Sequence, residues 1–338
     1  MSKWYLNENK NSDIVFSSRI RIARNLKGFP FPNKMNDEQK YSVIQKVSDA
    51  VFKSELKDEF TFIDIDKISE VEAYSLVERH LISPEFASNT KGRALILKND
   101  ESLSIMINEE DHLRIQALCS GLELEKAFED ARKIEKIISE NNEFSFDEQF
   151  GFLTECPTNL GTGLRASVMM HLPALEKLGV LDRIFNNISK MGVAIRGTFG
   201  EGSKPKSSMY QISNQVTLGI SENKAIETIN SITNQLIDKE KEARNAFDRS
   251  CLEDDVFRAL GTLKFARKMS TEEMFKLISD VRIGVSMGIV DVPVSVMNKI
   301  LLETGKAGIC LDEKETLESD IRDSKRANYI RDRLSQYN

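Results

Sequence analysis

Four short stretches of the chain concentrate residues able to do chemistry. In SSRIRIAR, Ser17 to Arg24, Arg19 and Arg21 stand two apart. On an extended strand they point the same way, about 7 Å from each other, and two guanidinium groups on one face suit a polyanion. An edge strand protected by charge would carry the same pattern. In NEEDHLRI, Asn108 to Ile115, the acids Glu109, Glu110 and Asp111 and then Arg114 follow an apolar run. Acids so placed can hold a cationic substrate, bind Mg²⁺ through water or act as a base. Leading into a helix, they would simply match its N-terminal dipole. In TECPTNLGTGLRASV, Thr154 to Val168, Cys156 opens a small glycine-rich loop expected to run into a helix. A helix N-terminus lowers a thiol pKa, and loop amides can face an anion. A buried, inert cysteine is the other reading, and the missing Cys-His-Asn signature excludes a hydrolytic nucleophile. RGTFGEGSKPKSS, Arg196 to Ser208, fails as a P-loop because Ser203 separates Gly202 from Lys204. It reads either as a glycine loop with one acid, Glu201, able to close over a substrate, or as a plain hairpin connection. Jointly the four supply Arg19, Arg21, Arg114, Arg165 and Arg196, the carboxylates Glu110 and Glu201, and a thiol. That inventory fits phosphoryl transfer by positioning and charge.

The elements that must position these residues follow from periodicity. Residues 37–57 and 122–140 carry apolar side chains at helical spacing. Residues 95–107 read as two strands about a turn at Asn99-Asp100. GFLTE, VAIRGTF and MYQISNQVTLG read as strands, and RASVMMHLPALEKLG as an apolar helix. Residues 1–12 look polar and loose. From about 222 the texture is charged and helical, with Ser270 and Glu273 at capping-box spacing. A boundary is expected near 243–250, separating a mixed α+β domain from a helical one.

Composition narrows the classes. The chain has 338 residues, 40% apolar and 30% charged, a soluble two-domain profile with no membrane-length apolar run. Its net charge of −6 disfavours general nucleic-acid affinity. Cys119, Cys156, Cys251 and Cys310 form no C-x-x-C pair, and three histidines are too few for a His-rich metal site. The opening MSKWYLNENKNSD lacks a secretory h-region, so a cytoplasmic location is expected.

SSRIR, NEEDHLRI, CPTNLGTGLRAS and RGTFGE, in this order, resemble the ATP:guanidino phosphotransferases, the creatine and arginine kinase family. The resemblance covers roughly residues 14–243. SSRIR begins at residue 17, without the helical domain that precedes it in the metabolic enzymes, and a helical region follows instead. That arrangement is similar to the bacterial protein arginine kinases. RDSKRA, Arg322 to Ala327, fits their R-D-x-x-R-A phosphoarginine-binding motif, and a charged helix face would fit it too.

The resemblance implies an α+β fold, an antiparallel sheet flanked by helices over 14–243 and an all-helical domain over 250–338. It implies transfer of the ATP γ-phosphate to arginine side chains of proteins, with Mg²⁺ held mainly by ATP and water rather than by protein ligands. ATP binding falls to Ser17, Ser18, Arg19, Ile20, Arg21, His80, Arg114, Arg165, Ala166, Ser167, Val168, Met169, Arg196, Gly197, Thr198, Phe199, Gly200 and Glu201. Glu110, Glu201 and Cys156 are the implied catalytic groups. Arg322, Asp323, Arg326 and Ala327 form the implied allosteric phosphoarginine site. The implied setting is a homodimer working with a zinc-binding activator, a Clp-type chaperone-protease and a heat-shock repressor, without nucleic acid or membrane. Two alternatives stand beside it: a kinase of a free small guanidine, and a non-catalytic phosphoarginine-binding adaptor.

Overall fold

The computed structural model describes residues 2–9, 11–197 and 207–337. Its centre is an eight-stranded sheet built from β1 (Val15–Arg24), β2 (Phe60–Asp64), β3 (Ala94–Lys98), β4 (Leu103–Ile107), β5 (Leu113–Ser120), β8 (Leu164–His171), β9 (Val193–Arg196) and β10 (Met209–Asn214). The order is β2-β3-β4-β5-β1-β8-β10-β9, and each neighbouring pair is antiparallel. A separate two-stranded hairpin joins β6 (Phe146–Asp147) to β7 (Gly151–Phe152).

Alternation along the strands gives the sheet two unlike faces. Ile20 and Ile22, Ile115 and Ala117, and Ala166 and Val168 face one way, into a core shared with α1 (Asp37–Phe52), α4 (Leu124–Ser139) and α7 (Glu222–Asn245). A second apolar cluster on the other face gathers Phe16, Leu118, Met169 and residues of α2 (Glu70–Glu78) and α3 (Pro84–Ser88). The short α5 (Pro173–Lys177) and α6 (Leu181–Ser189) connect β8 to β9.

Three expectations are corrected here. RASVMMH is not a helix but strand β8, because Arg165, Ser167 and Met169 alternate with Leu164, Ala166 and Val168 between the two faces; the helix starts only at Pro173. The acids of NEEDH lead into no helix and sit on the turn joining β4 to β5. The N-terminal segment is not loose: Trp4 and Tyr5 are buried in a short 3-10 turn, where Tyr5 donates a 2.6 Å hydrogen bond to Glu303.

The C-terminal region comprises α8 (Arg249–Phe265), α9 (Thr271–Ser286), α10 (Val294–Glu303) and α11 (Ser319–Leu334), around an apolar cluster of its own. Ser270 caps α9 by accepting from Glu273 N at 3.1 Å. Glu78, ending α2, accepts from the backbone N–H groups of Ala307 and Gly308 and so clasps this region to the sheet. The fit is tight: a Cβ on Gly308 would lie 2.5 Å from the backbone oxygen of Glu303.

Candidate active site

The polar half of the sheet face makes the site. Arg19 and Arg21 of β1 project beside Arg114 of β5, Arg165 of β8 and Arg196 of β9, and all five line one cleft of about 480 Å³. Register brings them together: Arg21 lies opposite Gln116 on one side and Arg165 on the other. Arg19 donates to Ser167 Oγ at 3.3 Å and to Gln211 Oε1 at 2.8 Å. Burial, then repulsion from Arg114, Arg165 and Arg196, pushes its guanidinium down to about 9. Arg21 is also held well below its ordinary value by burial and then by Arg114, Arg19 and Arg165. Cations crowded this way are poised for a polyanion, which would relieve the repulsion.

The three acids of the β4–β5 turn do different things. Asn108 enters the turn with φ of +63° and ties it down by donating its side-chain amide to Gly92 O and Lys40 O. Glu109 is buried and accepts from Arg114 Nη1 at 2.6 and 2.5 Å and from Ser83 Oγ. Burial alone would raise its pKa, but Arg114, Ser83 and Arg21 together hold it below the ordinary carboxylate value. Asp111, also buried, accepts from Asn25 Nδ2 at 2.6 Å and from Glu155 N–H at 2.8 Å. Glu110 is exposed to the cleft, where its Oε2 accepts a 3.4 Å bond from Asn159 Nδ2. Next to them His112 is fully buried, its Nδ1 accepting from Leu26 N–H and its Nε2–H donating to Pro30 O. It locks the turn rather than facing the cleft.

Cys156 lines the cleft across the same loop, its Sγ 3.0 Å from Thr158 Oγ1. The helix expected to activate it is absent: Pro157–Asn159 is a single 3-10 turn, followed by strand β8. Asp111 instead sets the thiol's place by gripping Glu155, one residue before it. His80 also lines the cleft, with φ of +61°; burial and then Arg19 push its imidazole down to about 4, so it is neutral at pH 7.

The remaining expected residues divide by face. Ile20, Ala166 and Val168 turn their side chains into the core, away from the cleft. Ser17 is buried, and Ser18 Oγ donates to Gly121 O and accepts from Glu123 N–H, a structural staple. Ser167 and Met169 share the face of Arg165, and Gly197 is buried after β9. Thr198, Phe199, Gly200 and Glu201 lie outside the described residues. Asn25 and Gln211 are site-forming residues that sequence reasoning did not name, and Glu109 and Asp111 are acids it grouped with Glu110 without separating their parts.

Comparison with known proteins agrees with this geometry. Residues 42–243 match the family model described as ATP:guanido phosphotransferase, C-terminal catalytic domain, and residues 249–338 match that of the protein-arginine kinase McsB C-terminal domain. The protein-arginine kinase of Clostridium acetobutylicum is 43% identical over 339 residues, 99% of this chain and 100% of that protein. That of Caldanaerobacter subterraneus subsp. tengcongensis is 43% identical over 331 residues, 96% of this chain and 98% of its own length. The chain belongs to the protein-arginine kinase family. Among solved structures, lombricine kinase aligns with a TM-score of 0.63 at 26% identity, over 71% of this chain and 70% of that one. A duplicated taurocyamine kinase from Schistosoma mansoni shares the fold, with a TM-score of 0.62 over 79% of this chain and 42% of its own.

In this protein-arginine kinase chain the R-D-x-x-R-A stretch lies on α11. Its four named residues are not equivalent. Arg326 is fully buried and donates to Thr304 O, Met269 O and Asp323 Oδ1 at 2.8, 2.7 and 2.6 Å. Ala327 packs in the C-terminal core, while Arg322 and Asp323 are half-buried. Among the described residues no helix is long and apolar enough to cross a membrane.

Proposed function

We propose that this chain transfers the γ-phosphoryl group of ATP to arginine side chains of proteins, with Glu110 as the base. The observation that supports this reading most is the division of labour in the β4–β5 turn: its three acids all line the five-arginine cleft, but Glu110 is exposed there while Glu109 and Asp111 are buried and held by Arg114, Ser83, Asn25 and the Glu155 backbone. Arg19, Arg21, Arg114, Arg165 and Arg196 would hold the phosphates and match the charge of a planar, metaphosphate-like transition state. Among the described residues no group of three or more His, Cys, Asp or Glu could hold a metal ion. In this reading Mg²⁺ comes with the nucleotide, bound mainly by phosphate and water.

An arginine acceptor is a cation and no nucleophile until a proton leaves it. In this reading Glu110 forks onto two guanidinium N–H groups, orients one nitrogen in line with the γ-phosphorus and takes its proton as the N–P bond forms and the bond to ADP breaks. Cys156 and Glu201 would orient the guanidinium from other sides, and His80 would pack on the adenine. Glu110→Gln is expected to lower kcat at least about 10³-fold with ATP affinity nearly unchanged. Glu109→Gln, which releases Arg114, is expected to weaken ATP binding as well. Isothermal titration beside a transfer assay separates the two, and equal loss of binding and transfer in Glu110→Gln would undo its assignment as base.

For the C-terminal region, the reading is that Arg322 and Asp323 meet phosphoarginine while Arg326 holds their helix in place. Arg322→Ala should blunt stimulation by phosphoarginine and spare basal transfer and melting temperature, whereas Arg326→Ala should lower the melting temperature. Collapse of basal transfer in Arg322→Ala would make that residue structural. A cytoplasmic homodimer that marks proteins for a Clp-type protease, answers to a zinc-binding activator and inactivates a heat-shock repressor is supported by the family resemblance alone. Unchanged degradation of phosphorylated substrate by such a protease would remove that part.

A further inference from the structure

Beside the cleft lies a second groove of about 370 Å³, bordered by the β6–β7 hairpin and the segment 217–222. Its apolar rim is open to water: Phe146 is 59% exposed, Phe150 43% and Leu218 45%. The base beneath them is firm. Phe152 packs edge-on against Phe146 with ring centroids 5.2 Å apart, and the buried Arg24 guanidinium lies 3.4 Å from the Phe152 centroid. Gly151 and Gly161 cross so closely that a Cβ on Gly151 would sit 2.6 Å from Gly161 O. Large apolar rings held rigidly in solvent mark a contact surface rather than a packing accident.

Charge and position say what it contacts. Residues 140–155 hold five acids, Glu140, Glu143, Asp147, Glu148 and Glu155, and no Lys, Arg or His. Arg132 reaches the groove, but Glu135 at 3.2 Å and Glu222 at 3.5 Å compensate it. The partition between groove and cleft is one loop: Cys156 and Asn159 line the cleft, and Gly161 and Thr162 line the groove. The four residues from Phe152 to Cys156 span at most about 14 Å.

We propose that this groove is a docking subsite for the polypeptide bearing the target arginine, taking an apolar side chain about four residues from that arginine while basic neighbours face the acidic 140–155 segment. Unfolded chain is the fitting occupant, because it alone presents apolar side chains and arginines together in extended form. The proposal rests on the phosphotransfer reading above and adds a recognition site to it.

Two unfolded synthetic peptides test it, each with one arginine and basic flanks, one carrying Phe four positions to either side and the other Ser. The full-length kinase should prefer the Phe peptide by roughly tenfold in kcat/KM, through KM. The double substitution Phe146→Ser with Phe150→Ser should erase that preference while the Ser peptide reacts as before. Glu148→Lys should raise KM for both. Equal use of the two peptides by the unaltered chain, or a preference that survives the double substitution, overturns the docking site alone. Loss of self-association in the double variant with peptide preference intact would assign the groove to a second copy and also overturn it. Phosphorylation of neither peptide, nor of any unfolded protein, would instead bring down the phosphotransfer reading on which it rests.

Discussion

Glu109 and Glu110 are neighbours with the same chemistry and opposite surroundings. One is buried under Arg114 and Ser83, and the other stands at the cleft wall. Residue types and spacing made the arginines legible, because a period of two puts Arg19 and Arg21 on one face whatever the rest of the fold does. Spacing alone did not tell Glu110 from its neighbours, which the family resemblance did, because the burial of Glu109 depends on Arg114 and Ser83 arriving from other elements. Cys156 was singled out for the wrong reason, an α-helix that does not exist there. Its place still sets it apart: it is half-buried at the cleft wall, whereas Cys119 and Cys310 are buried, and burial pushes the Cys119 thiol up to about 12. The exposed Cys251 is raised as well, by Asp248 and its hydrogen bond. Iodoacetamide should therefore modify Cys156 first, and ATP should slow that modification, as read by peptide mass mapping over time. Uniform labelling of all accessible thiols would remove the case for a special role.

Among elements, the sharpest lesson is β8. LRASVMMH is apolar at five of eight positions and runs VMM without a break, and such a strand near the middle of a sheet looks like a buried helix when only hydrophobicity is read. The Pro173 that follows was the available clue, marking a helix start two residues beyond the strand. The end of β8 also carries a contact between regions. His171 is fully buried, and its Nε2 lies 2.9 Å from Ser279 Oγ of α9. Burial and then Arg282 and Arg244 hold its imidazole well below 6.5. The folded chain thus keeps His171 neutral, while the unfolded chain protonates it as pH falls through about 6.5. Its contribution to stability is complete above that pH and declines as pH drops toward the depressed folded value. Melting temperature between pH 7.5 and 5 should fall more steeply in the unaltered protein than in His171→Gln. Parallel profiles would mean that the packing of β8 on α9 does not depend on a neutral ring.

At the scale of the molecule, an antiparallel sheet separates two jobs. One face is hydrophobic and packs α1, α4 and α7, and the other gathers cations from β5, β1, β8 and β9 into one cleft. Breaking the buried Arg24–Glu135 pair beside it, with its 2.5 Å contact, is expected to cost roughly 3–5 kcal/mol. The division into mixed and helical regions was readable from texture, and α7 ends at Asn245 where α8 begins at Arg249. The clasp of Glu78 on residues 307–308 was not readable, being a pairing across more than two hundred residues. The central claim, that this cleft phosphorylates arginine in proteins, is tested most directly by one measurement. Radiolabelled phosphate transfer from ATP to unfolded casein would be followed, with the acid stability of the product tested and the modified side chain located by mass spectrometry under mild conditions. An acid-labile label on arginine is the predicted result. Label on free arginine but never on protein, or an acid-stable label on serine or threonine, would contradict it.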